Sequence, residues 1–383
     1  MPPKPLVLPP ARLALGALLL GAALLPPARA QAPAPGAPGV SLFGVIDLSV
    51  ERVGPVAAPG SSGATRMPGL TGSVPSRFGI RGSEDLGGGL RAEFVLEQGL
   101  AADVGGVNQA GRVFGRQALV GLTGPWGTVA LGRQYTMLFW SQLQSDLLGP
   151  NAYGSGSLDA YLPNARSDNT VSWRGQAGPW RAGATYSLGR DVMNAGPGPA
   201  GTNCPGEDPA DARACRAWSL MLGHDTANWG VTGAIDQLRG GPGAFGGLTR
   251  SVLADRRSTL TGWWRSPSGM RLGAGLIHRH NQGSATLPRS DLWYLTAAWP
   301  VTPLWRLEGG LFRLDYRGSP QGATLAALRL TRSLSTRTAL YANLGQVWND
   351  GTLALGVSGA APGSGPAPGR GQHGLMAGLR HSF

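Results

Sequence analysis

The sequence predicts an all-β fold, a 16-stranded antiparallel transmembrane β-barrel, from three observations. Apolar and polar residues alternate with a period of two in one short run after another, and Gly-rich turns separate the runs. The connections between the runs alternate between short and long. No apolar run of helix length follows residue 31, yet 12 Trp, 7 Tyr and 8 Phe supply the large side chains of an ordered fold despite 62 Gly and 31 Pro.

The chain opens like a secretory signal. Lys4 and Arg12 precede a small, apolar run from Leu13 to Leu25, and Ala28-Arg29-Ala30 supplies an A-x-A cleavage pattern. That run falls short of the about 20 residues a spanning helix needs. Residues 1–30 are therefore expected to be removed, residues 31–40 to form a Pro/Ala-rich spacer, and residues 41–383 to form the barrel. Loss of Lys4, Arg12 and Arg29 lowers the formal charge from +12 to +9 and leaves a chain without lysine. A basic, exported chain with no clustered Arg run offers nucleic acid no phosphate track.

Candidate strands follow at 41–52, 76–85, 89–99, 112–123, 127–135, 167–175, 179–188, 217–225, 229–238, 256–266, 269–280, 290–299, 304–317, 323–333, 337–348 and 372–383. Tight links such as "DLGGG", "GPWG" and "SPSG" alternate with mostly longer ones, among them 53–75, 100–111, 136–166, 189–216, 239–255 and 349–371. That rhythm puts short turns on one rim and long external loops on the other.

Facing follows from the charges. In the first hairpin Arg77, Arg81, Arg91, Glu93 and Glu97 alternate with Phe78, Ile80, Leu90, Ala92, Phe94 and Leu96. In 179–188, Trp180, Ala182, Ala184, Tyr186 and Leu188 oppose Arg181, Gly183, Thr185 and Ser187. An arginine facing lipid near the midplane costs about 2–4 kcal/mol, so the charged face must line the lumen or the strand ends, and the apolar face looks into lipid. Arg329 and the stretch "GRQALVGLT" break the alternation, and no facing follows there. Trp173, Trp180, Trp218, Trp229, Trp299, Trp305 and Trp348 fall near strand ends, where an interfacial girdle would stand.

Cys204 and Cys215 lie in a Gly/Pro-rich loop and lack a second ligand pair, so in an oxidising exported compartment they read as one disulfide rather than a metal site. His278 and His280 share a strand face without an evident third ligand, which suits a polar pair at a strand end. No G-x-S-x-G occurs and no His stands in a motif that would make it a base, so neither catalysis nor a cofactor is expected.

The stretches "SLFGVIDLSV", "SRFGIRGSEDLGGGLRAEFVLEQGL", "GRQALVGLTGPWGTVALGRQY" and "GLRHSF" together resemble the trimeric general porins of Gram-negative outer membranes. The resemblance is densest over 41–135 and at the C-terminus, where Phe383 resembles the terminal aromatic by which the barrel assembly machinery recognises its clients. It implies a homotrimer in the outer membrane, surrounded by lipid and lipopolysaccharide. Each subunit would hold a water-filled pore for passive diffusion of small hydrophilic solutes and ions, narrowed by an inward-folded third external loop, here 136–166.

By the same resemblance, Arg77, Arg116 and Arg166 match wall arginines that face a loop acid, Asp146, with Arg133 and Asp159 as further members of the constriction. Two departures matter: strand one reads "VID" without the basic residue of some relatives, and Pro150 stands where a second loop acid is expected. A missing acid beside retained arginines tilts the constriction positive and favours anions. Two rival readings are a non-conducting adhesin or receptor barrel and an outer-membrane enzyme barrel. Ion conduction by the purified protein separates them from a pore.

Overall fold

The protein, a computed structural model, is described over residues 39–58, 60–109, 111–190, 204–358 and 363–383. The predicted signal segment lies outside the described residues. In chain order the strands are β1 Gly39–Gly54, β2 Ala64–Arg66, β3 Arg77–Gly87, β4 Leu90–Ala101, β5 Gly106–Val107, β6 Gln117–Gly124, β7 Gly127–Tyr135, β8 Arg166–Ala177 and β9 Trp180–Ser187. They continue as β10 Ala217–Asp225, β11 Trp229–Arg239, β12 Ala254–Arg265, β13 Arg271–Asn281, β14 Arg289–Pro300, β15 Trp305–Tyr316, β16 Gly322–Ser333, β17 Thr338–Asp350 and β18 Gln372–Ser382. The very short β2 and β5 sit in loops, and the other strands form a closed 16-strand antiparallel barrel.

Closure is what lipid demands, because an open edge would leave backbone N–H and C=O groups unpaired in hydrocarbon. β1 does the closing, pairing with β3 over Gly39–Val45 and with β18 over Val45–Gly54. The chain end seals the seam: Phe383 N–H donates to Gly44 O and Gly44 N–H to Phe383 O, both at 3.1 Å. The Phe383 ring occupies the space beside Gly44, where a Cβ would come within 2.4 Å of it.

Facing follows the alternation. On β9, Trp180 and Tyr186 are exposed outward while Gly183, Thr185 and Ser187 are buried inward, and on β18 Leu375 and Leu379 are exposed while Met376 is buried. Trp126, Trp173, Trp180, Trp229, Trp264 and Trp299 are exposed close to the short-turn rim.

Three features depart from the sequence reading or go beyond it. The strand expected at 112–123 starts only at Gln117, because Arg112 and Arg116 leave the wall pattern to bind Asp168 and Glu97. Arg329, whose facing the sequence left open, points inward and is buried against Glu308. The lumen wall is also not uniformly polar. On β13 to β18 the inward residues Ile277, Leu292, Tyr294, Phe312, Leu314, Leu325, Val347 and Met376 join an apolar cluster.

Candidate functional site

That apolar strip holds the third long loop. After Tyr135 the chain leaves β7, forms a helix α1 at Met137–Gln142, makes single 3-10 turns at Ser155–Ser157 and Leu162–Asn164, and returns as β8. Leu138, Leu148, Tyr153, Leu158 and Leu162 supply the loop's share of the cluster, so burial of apolar area draws the loop inside rather than over the rim.

Polar contacts then fix its route. Met137 N–H donates to Ser219 Oγ at 2.9 Å, Thr261 Oγ1 donates to Ser141 O at 2.8 Å, and Thr296 Oγ1 donates to Ser145 O at 2.6 Å. Ser145 Oγ and Tyr294 Oη are 2.7 Å apart. At Gly273 the loop backbone presses so close that a Cβ would stand 1.9 Å from Ser145 O. Further on, Asn151 Nδ2 donates to Ser73 O, Tyr153 N–H to Val357 O, and the Arg329 guanidinium to Gly72 O, Leu147 O and Leu148 O. The loop thus reaches wall and loop residues from both ends of the chain.

On the opposite side of the lumen lies the arginine group. Arg116 pairs with Glu97 and donates to Tyr135 Oη at 2.7 Å, while Arg166 donates to the same hydroxyl and stacks over its ring at 4.2 Å. Arg77 reaches Glu97 at 3.7 Å. Arg133 and Arg112 share Asp168, at 2.6 and 2.7 Å. Four of the five arginines therefore meet two carboxylates, and Arg166 rests on Tyr135. Arg116, Arg133 and Arg166 are nearly covered, with 7%, 7% and 2% exposure. The Arg77 side chain keeps 29% exposure and is the member best placed to meet water in the lumen.

The loop acids sit elsewhere, which corrects the expected pairing of Asp146 with the wall arginines. Asp146 is tucked inside the loop, accepting from Ser155 Oγ at 2.6 Å. Burial pushes its carboxyl up to about 6, against the Ser155 hydrogen bond and the nearby Arg329. Asp159 binds Arg257 on β12 at 2.9 and 3.2 Å, not the arginine group. Burial opposes its ionisation, yet Arg257 and Arg279 hold the Asp159 carboxyl below the usual carboxylate range. The reason is geometric: the apolar strip draws the middle of the loop against β13 to β18, and its acids meet Arg257 and Arg329 rather than Arg116.

Glu97 and Asp168 do the neutralising that sequence reasoning gave to Asp146. Glu97 was legible as a member of the charged face of β4 but not as a partner of Arg116. Asp168 stands two residues after Arg166, and nothing in its spacing points to Arg133. Arg257, Arg279, Arg329 and Tyr135 were also missed, since each acts through contacts distant in sequence.

Cys204 and Cys215 are joined, with Cα atoms 5.2 Å apart, and Ala214, Ala244 and Leu248 cover them where two long loops meet. His278 and His280 lie on the outward face of β13, with His278 Nδ1 2.7 Å from Asp291. Among the described residues no three His, Cys, Asp or Glu side chains gather into a metal site.

Comparison with known proteins agrees with this architecture. The family model described as Gram-negative porin matches residues 14–352. The outer membrane porin protein 32 of Delftia acidovorans is 28% identical over 358 residues, covering 90% of this chain and 94% of that protein. Among solved structures, the anion-selective porin from Comamonas acidovorans shares the fold with a TM-score of 0.66 at 22% identity, covering 90% of this chain and 99% of that one. The trimer form of OmpT from Vibrio cholerae matches with a TM-score of 0.62 at 15% identity, covering 90% and 99%. The 16-strand wall, the loop folded inside it and the match along most of its length place this chain in the Gram-negative porin family: it is an outer-membrane channel rather than an enzyme.

Proposed function

We propose that this channel passes small hydrophilic anions in preference to cations. One observation carries the proposal: on the side of the lumen away from the loop's anchor five arginines gather, Arg77 and Arg116 at Glu97, Arg112 and Arg133 at Asp168, and Arg166 on Tyr135. Surplus charge in a narrow, low-dielectric passage raises the local concentration of counter-ions and sets the sign of the ions admitted. The loop acids do not offset it, since Asp146 is closed within the loop and Asp159 is paired to Arg257. Arg77 acts by contact with the aqueous path, and the covered arginines act through their field.

The same reading extends to assembly. A homotrimer is supported by the trimer form of the similarly folded Vibrio protein. Removal of residues 1–30 fits the A-x-A pattern, and insertion through the C-terminal strand fits a Phe383 that closes the seam with Gly44. The experiment is the zero-current potential across a planar bilayer under a KCl gradient, for wild type, Arg77→Ala and Arg116→Ala. An anion-favouring potential that weakens in both variants supports the proposal. A cation-favouring wild type would overturn the charge assignment while leaving the channel.

A further inference from the structure

The lumen carries a second cationic group, at the opposite end from the first. Arg77, Arg133 and Arg166 stand at the long-loop ends of β3, β7 and β8, whereas Arg265 closes β12 and Arg271 opens β13 on either side of the short turn that joins them. These two are direct cross-strand partners, so their Cα atoms lie about 5 Å apart. Like charges placed opposite one another on antiparallel strands are destabilising. The register therefore sets a repulsive pair at the last rung of this hairpin.

The rows above fix which way the pair faces. One two-residue step towards the long loops, Trp263 and Gly273 are partners, and Gly273 is the position pressed by Ser145 O of the third loop. A further step up, Thr261 donates to Ser141 O. Alternate residues share a face, so Arg265 and Arg271 point into the lumen, about 6–7 Å beneath the Gly273 contact. The contacts of Arg271 point the same way. Its Nη2 donates to Gln144 O at 2.9 Å and to Gln144 Oε1 at 2.8 Å, and its guanidinium lies 5.8 Å from the centre of the Trp263 ring.

The neighbouring carboxylates do not neutralise the pair. On the inward face at this end of β10 to β15 these are Asp225 and Glu308, and both are already engaged. Asp225 pairs with Arg181 at 2.5 Å and accepts from Trp263 Nε1, while Glu308 pairs with Arg306 at 3.0 Å and Arg329 at 2.7 Å. Among the described residues the Arg265 side chain has no hydrogen bond or ion pair, and Arg271 Nη1 has none either. Two guanidinium groups, one held by Gln144 and Trp263 and the other exposed, therefore face the aqueous path with donors unused. Two such forks match a tetrahedral oxyanion, whose oxygens accept bidentate bonds from both sides, whereas a spherical chloride offers no such geometry.

We propose that Arg265 and Arg271 form a binding station for a doubly charged tetrahedral oxyanion, phosphate or sulfate, at the short-turn mouth of the channel. It rests on the anion path proposed above and extends it: an anion admitted past Arg77 meets a second cationic site before it leaves. Conduction needs binding strong enough to draw an ion in and weak enough, or divided among enough sites, to let it go. One charge about 4 Å from a dianion in water, screened at about 0.1 M salt, changes affinity about tenfold.

The test is the single-channel current of the full folded chain in about 0.1 M KCl, with sodium sulfate titrated into both compartments. Wild type, Arg265→Gln, Arg265→Lys and Arg77→Ala are compared. Arg265 holds no other side chain in place, so its variants report on the ion rather than on folding. Sulfate at the station lowers the chloride current, and the half-inhibiting concentration should rise about tenfold in Arg265→Gln. It should rise less in Arg265→Lys, which keeps the charge and loses the fork, and stay unchanged in Arg77→Ala. Equal inhibition of wild type and Arg265→Gln overturns the station. So does relief by Arg77→Ala alone, which would assign the sulfate to the first arginine group, and so does an Arg265→Lys channel indistinguishable from wild type, which would leave only a general positive field. The zero-current potential in KCl separates this site from the anion preference. A cation-favouring wild type that sulfate still inhibits through Arg265 sinks the preference and keeps the station, and an anion-favouring wild type that sulfate does not inhibit sinks the station and keeps the preference.

Discussion

On the side of the lumen built by β3, β4, β7 and β8, the inward residues are arginines, two acids and Tyr135, held by ion pairs and hydrogen bonds. On the side built by β13 to β18, they are chiefly Ile277, Leu292, Tyr294, Phe312, Leu325, Val347 and Met376, packed against the third loop. Hydrophobic burial is non-directional and consumes the surface it covers, so the loop occupies the apolar side and leaves that wall closed to water. The charged side is covered in another way: Arg116 and Arg133 are buried against the carboxylates of Glu97 and Asp168, because desolvating a guanidinium costs several kcal/mol per ion unless a partner repays it. The difference shows that the aqueous path is set less by where the charges are than by which wall the loop prefers.

If the apolar side anchors the loop, deleting its largest filled position should break the asymmetry most. Phe312 is fully buried, and Phe312→Ala should cost about 3–5 kcal/mol. Denaturant titration of the folded barrel should report the loss, and single-channel recordings should turn noisy as the loop detaches. Steady currents with unchanged stability would show that the polar contacts alone hold the loop.

Asp146 tests the same anchor through pH. Its carboxyl in the docked loop is raised to about 6 from an ordinary value of 3.8. A raised value means that the docked loop binds the proton more tightly, so this contribution is complete below about pH 4 and is lost as pH rises through 6. The effect is on the order of 2–3 kcal/mol. Voltage-induced closure should therefore become easier between pH 4 and pH 7 in wild type and stay flat in Asp146→Asn. A variant that retains the wild-type pH dependence would assign it to another group.

Gly273→Val probes the tightest approach of loop to wall. The new side chain would collide with Ser145 O and should cost about 1–3 kcal/mol, with reduced conductance as the loop is pushed towards the arginine side. Unchanged conductance would mean that the loop can shift along the apolar strip without entering the path. On the charged side the expected effect is smaller. Arg77→Ala removes one partly exposed charge, worth about 0.6 kcal/mol of attraction to an anion and as much repulsion of a cation at roughly 7 Å in water, or about a sevenfold change in the anion-to-cation permeability ratio. Smallest of all, reduction of the Cys204–Cys215 bond, remote from both sides, should leave conductance and selectivity unchanged. A current that changes on reduction would tie the outer loops to the pore.

Much of the wall was legible in the sequence. Strand count, turns and outward facing depend on alternation over two residues and on Gly-rich turn chemistry, both read within a few positions. Trp180 against Arg181 already declares which way β9 faces. The interrupted alternation around Leu292, Trp293, Tyr294 and Leu295 was a visible sign that β14 is apolar on both faces, though it does not say what covers the inner one. The loop's route could not be read that way, because Ser145 meets Tyr294 across 149 residues and Arg329 holds Leu148 O across 181. Whether an acid such as Asp146 or Glu97 faces an arginine is decided by those distant contacts. Local pattern therefore determined the barrel and its orientation in lipid, while tertiary packing of the loop decided which charges meet, since that depends on burial between segments that no neighbouring residues encode.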